Sequence, residues 1–176
     1  MAVIEAIATT YLEADAASVT FSSLGSYEHL QLRISAKSAR STSYTNDDIK
    51  LNLNGDTGSN YSYHRMTGED TTEGATGSAS DSYIKVSSVQ SDAGLSGAAN
   101  YGGVIVDILD YRNGSKNTTV SGTGSLTPAP IGSSRATFFS GLWDDVAAVT
   151  SIVLAPLSGT NFIRGSEFTL YGLNSS

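Results

Sequence analysis

Leu30, Leu32 and Ile34 alternate with Gln31, Arg33 and Ser35, and that two-residue period places the three aliphatic side chains on one face of an extended strand. The pattern returns at residues 49–53, where Ile49, Leu51 and Leu53 enclose Lys50 and Asn52. It is looser at 83–89, where Ile84 and Val86 lie opposite Lys85. Residues 104–109 form an apolar run interrupted by Asp107, which predicts a central strand covered on both sides. Residues 136–139, 152–154 and 168–171 are further strong candidates, and 7–12, 18–21, 61–66 and 118–121 are weaker ones. About ten short strands divided by turn signals are the spacing of a sandwich or a barrel.

The residues between the runs agree with this. Asn54-Gly55-Asp56 and Arg112-Asn113-Gly114 are natural tight turns, because Asn and Gly accept positive φ at low cost. Pro128 and Pro130 mark a non-helical connection, and Pro156 closes the run at 152–154. Ser, Thr, Gly, Ala and Asn dominate the rest, and short polar side chains suit turns and solvent faces of strands better than helix surfaces. The Ala-rich segment 1–17 has helical propensity, but a strand follows at Val19, so a strand, a turn near residues 14–16 and a second strand are predicted. One helical turn is expected at 144–149, with Asp144 or Asp145 as its N-cap. Segments 36–47, 68–82, 91–100 and 113–117 carry few large apolar groups and read as polar loops. No repeat or linker divides the chain, so residues 1–176 are predicted to be one sandwich domain.

Charge excludes some partners. The net charge is −7 and the ten Lys and Arg form no cluster, so neither a nucleic acid nor an anionic membrane surface is an expected partner. No apolar run approaches the roughly 18 residues that span a bilayer, and Glu5 stands where a signal peptide would carry a basic residue. The expected product is unprocessed and soluble. Cysteine is absent, which removes disulfides and thiolate metal sites.

A search for chemistry finds little. His29 and His64 are the only histidines, and two distant imidazoles without Cys do not make a zinc site. There is no Gly-x-Ser-x-Gly elbow, Walker loop or dinucleotide fingerprint. Asp47-Asp48, Glu69-Asp70 and Asp144-Asp145 are adjacent acids, which point to opposite sides of a strand and so form no glycosidase dyad. Asp107 stands apart, because it is either exposed or buried with a partner. Asn52, Asn54 and Asp56 offer oxygens at alternate positions, loosely like a calcium loop, but the sixth-position Gly and terminal Glu are missing; a hairpin turn is the preferred reading. No catalytic residue, metal site or cofactor is therefore assigned. Tyr61 and Tyr63, two apart, would share one strand face and are the candidate contacts for a glycan or a protein partner.

Five stretches stand out: Ser18-Val19-Thr20-Phe21-Ser22, residues 27–33, residues 53–64, residues 143–154 and residues 161–172. In this order they resemble small virion structural proteins of tailed bacteriophages. Asn54-Gly55-Asp56-Thr57-Gly58-Ser59-Asn60-Tyr61 and Gly165-Ser166-Glu167-Phe168-Thr169-Leu170-Tyr171-Gly172 are the most distinctive. The resemblance implies a jelly-roll-like antiparallel β-sandwich in a virion particle assembled in the host cytoplasm. It implies no catalytic residues.

The expectation is thus a non-enzymatic virion protein. The absence of heptads favours a compact capsid decoration, cement or knob protein over a whole fibre. Its partners would be the major capsid protein or other virion subunits, including further copies of itself. The alternative is a receptor- or glycan-binding module of a tail or head fibre, recognising a host surface glycan.

Overall fold

A computed structural model describes residues 4–40, 44–92, 99–127 and 134–174. Pro128 and Pro130 lie outside them. Among the described residues there is no helix, and twelve strands form two facing layers.

The larger layer runs in the order β1 (Ile4–Tyr11), β12 (Glu167–Leu173), β3 (His29–Ser38), β8 (Gly102–Leu109), β9 (Thr118–Leu126), β10 (Arg135–Trp143), β5 (Tyr61–Glu69) and β6 (Thr72–Asp81). The smaller runs β2 (Val19–Phe21), β11 (Ile152–Pro156), β4 (Asn46–Leu53) and β7 (Ile84–Ser91). Pairing is antiparallel except where the end of β3 meets β7 in parallel at Lys37↔Gln90 and Ser38↔Ser91. That junction joins the layers into one mixed sheet folded over its own core.

The alternating aliphatics face inward from both layers. Leu30, Leu32, Val106, Ile108, Val120 and Phe139 meet Ile49, Leu51, Leu53, Ile84, Val86 and Ile152 in one cluster, every one fully buried. Close approach of the layers needs small residues opposite β7. A Cβ on Gly141 would sit 2.6 Å from Ile84 Cγ2, and one on Gly124 would collide with Ser87.

Four sequence expectations change. Residues 104–109 are not covered on both sides: β8 alternates buried and open positions, and Ile105 and Leu109 are exposed. Most of the expected polar loop 68–82 is strand β6, paired to β5 across the Asp70-Thr71 turn, with Asp70 at φ 50°. Its small residues gave no apolar alternation because β6 lies at the layer's edge, with most of its residues open to solvent. No helical turn forms at 144–149. There the Asp145 carboxylate accepts the Ala147 N–H and Asp144 accepts from the Asn117 amide. Finally, Asn54 and Gly55 make a tight turn at φ 54° and 68°, but the strands on either side belong to different layers, so it is no hairpin.

Candidate functional site

The face of the larger layer turned away from the core is built by register alone. Residues paired across antiparallel strands point to the same side, so each cross-strand row can be followed from strand to strand. One row reads Thr169, Arg33, Ile105, Thr123, Phe138 and Met66. The adjacent row, two residues along each strand, reads Glu167, Ser35, Gly103, Ser125, Ala136 and Gly68. On β8, β10 and β5 a ridge of Ile105, Phe138 and Met66 thus lies beside a trough of Gly103, Ala136 and Gly68. The two rows line an open groove of about 1270 Å³.

This face is unusually apolar for a surface. Of eight large hydrophobic residues exposed among the described residues, six lie on it: Ile4, Tyr11, Met66, Ile105, Leu109 and Phe138. Phe138 is 57 % and Met66 60 % exposed. Apolar surface of this kind, gathered on one side, marks an interaction site more often than chance scatter does.

A polar row borders the ridge on its other side. Asp107 accepts from Gln31 Nε2 at 2.9 Å, Gln31 Oε1 accepts from Arg33 Nε at 3.2 Å, and the Arg33 guanidinium lies 5.2 Å from the centre of the Tyr171 ring. Asp107 is therefore half-buried with an amide partner on the open face, which resolves the choice left by the sequence. Ser121, Ser140 and His64 continue the row. His29 and His64 have β8, β9 and β10 between their strands, and His29 Nδ1 accepts the Asp110 N–H at 3.0 Å. Among the described residues no group of three His, Cys, Asp or Glu is placed to share a metal ion.

Tyr61 and Tyr63 do share a side of β5, but that side faces inward. Tyr61 is 1 % exposed; its hydroxyl accepts from Leu53 N and donates to a carbonyl of the 53–56 turn, and its ring stacks on Trp143. The expectation of a glycan contact fails for Tyr61, because pairing with Trp143 points its ring into the core. Tyr63 is half-buried, with Lys85 Nζ 5.7 Å from its ring centre.

The side-chain oxygens of Asp56 and Asn54 are occupied by N–H donors, and Asn52 donates its amide to the Asp56 and Ser82 carbonyls. Asp56 takes Asn60 Nδ2, Trp143 Nε1 and Gly58 N, and Asn54 Oδ1 takes Thr150 N and Ser151 N. These bonds hold the Asp56 carboxyl below the usual carboxylate range, Asn60 and then Trp143 contributing most.

A second polar group lies between the layers. Asp48 pairs with Arg65 Nη1 at 3.0 Å and accepts from Ser88 Oγ at 2.6 Å, while Arg135 bridges Ser88 and Glu69. Burial works against the Asp48 charge, yet Arg65, Ser88 and Lys85 together outweigh it and keep the carboxyl below its ordinary value. With both guanidinium groups engaged by carboxylates, this group is a structural tie between β4, β5, β7 and β10.

Ile105, Phe138 and Met66 were missed from sequence. Ile105 sits in a run read as covered on both sides, and Phe138 and Met66 sit in runs read as strands without assigning their faces. Comparison with protein-family models, curated proteins and solved structures returns no match.

Proposed function

We propose that the chain is a non-enzymatic structural protein of a tailed-phage particle, a capsid-surface decoration, cement or knob protein that grips neighbouring subunits. The observation that carries the binding role is the open groove on one sheet face lined by three exposed large hydrophobics, Met66, Ile105 and Phe138. Leaving such a face in water forgoes roughly 25 cal/mol for each Å² that a partner could cover, so it fits a working state in which another protein lies against it. The resemblance of residues 18–22, 27–33, 53–64, 143–154 and 161–172 to phage virion proteins supplies the particle. The nearest carboxylate to Asp107 in sequence, Asp110, is engaged by Lys116, an arrangement that favours binding over acid–base chemistry.

The test is the composition of the particle. Mass spectrometry of purified virions should find the chain at many copies, and antibody against it should label the head in electron micrographs. Virions that lack it would overturn the reading. Binding on a host-glycan array, with no protein in the virion head, would favour the fibre-type alternative instead.

A further inference from the structure

We infer that the partner on the open face is a second copy of the chain, packed sheet to sheet about a two-fold axis that runs between the ridge row and the trough row. The inference rests on the docking role proposed above and adds its occupant and symmetry.

The row pattern is self-complementary. A half-turn about an axis lying in the interface and crossing the strands exchanges the two rows. Phe138 of one copy then lies over Ala136 of the other, Met66 over Gly68, and Ile105 over Gly103, all of which sit on adjacent rows of the same strands. Large side chains meet small ones on β5, β8 and β10, with Thr123 over Ser125 on β9 between them, and inner faces of packed sheets interdigitate in this way about 10 Å apart. Shape agrees. A twisted sheet is concave along one diagonal and convex along the other, and the same half-turn lays one copy's convex diagonal into the other's groove.

Charge agrees as well. The chain carries −7, so two copies repel through most of their surface, but from β8 to β5 the two rows hold no charged side chain, and Glu73 lies at their β6 end. At its β3–β12 side, Arg33 comes opposite Ser35 of the other copy, one strand away from that copy's Glu167. Neither Arg33 nor Glu167 is in a salt bridge among the described residues; Arg33 is spent on Gln31 and Tyr171. Two-fold symmetry makes the Arg33–Glu167 pair twice. Eight strands about 4.8 Å apart and the two exchanged rows about 7 Å apart cover roughly 500 Å² per copy, below the share each partner gives to a standard interface and in the range of weak, reversible association. An isologous patch of this kind is the usual basis of a dimer.

Sedimentation velocity of the full chain across the micromolar range tests it. Expected is a monomer–dimer equilibrium that Phe138→Asp and Met66→Asp move to monomer, with far-ultraviolet circular dichroism unchanged. Arg33→Glu or Glu167→Arg alone should weaken the dimer by about tenfold, and the two together should restore it. A wild-type monomer throughout, or a dimer indifferent to Phe138→Asp, overturns the inference. If the wild type is monomeric but Phe138→Asp abolishes its attachment to particles, the docking face stands and the second copy falls. A dimer formed by a protein that virions lack leaves this inference standing and removes the virion role.

Discussion

Trp143 Nε1 donates to Asp56 Oδ2 at 2.7 Å, joining the end of β10 to the turn that carries the chain from the smaller layer to the larger. Trp143 is 2 % exposed, so this bond is the outlet for a buried indole N–H. Asp56→Ala is expected to destabilise the fold by about 1–3 kcal/mol, the cost of an orphaned buried donor, measured by urea unfolding. The pH dependence has a definite sign. The folded pKa of Asp56 lies below its ordinary value, so its stabilisation is complete above about pH 4 and is lost as pH falls through the folded value. Wild type should lose stability on acidification below about pH 4 more steeply than Asp56→Ala.

Arg65 and Asp48 make a different kind of pair. Arg65 is 4 % exposed, so removing it leaves Asp48 charged between the layers without its main partner. Arg65→Ala should cost about 3–5 kcal/mol. Replacing both, with Asp48→Leu and Arg65→Met, should recover most of that loss in thermal melts. Equal damage from the single and double variants would contradict the assignment.

Phe138 and Phe139 are sequence neighbours with opposite surroundings, the first exposed and the second fully buried. Phe139→Ala should cost about 3–5 kcal/mol. Phe138→Ala should change the stability of the monomer by no more than about 0.5 kcal/mol, measured at high dilution so that association does not contribute.

Calcium should leave the melting temperature unchanged. The carboxylate and amide oxygens of Asp56 and Asn54 already accept protein N–H groups, and a cation there would have to displace them. Melts with calcium and with chelator differing by several degrees would show that the 52–56 turn binds the ion after all.

Alternation in residues 29–35, 49–53 and 83–89 was enough to predict strands, because a strand with one face in a core must repeat every two residues. The same local rule placed Asn54-Gly55 in a tight turn and kept Val19 out of a helix. It failed at β6, where Thr, Gly, Ala and Ser satisfy ladder hydrogen bonds without burying anything. It also misread 104–109, since a continuous apolar run does not say whether a second layer covers it.

Which side of each strand meets the core, and what gathers on the other side, was decided only by tertiary pairing. Tyr61 turns inward because Trp143 stands opposite it, and Ile105, Phe138 and Met66 become one ridge because β8, β9, β10 and β5 are adjacent in that order. Asp48 and Arg65 likewise meet across layers that their sequence separation does not disclose. Periodicity is a property of one strand and is written in its residues; a surface is a property of several, and depends on their order and register in space.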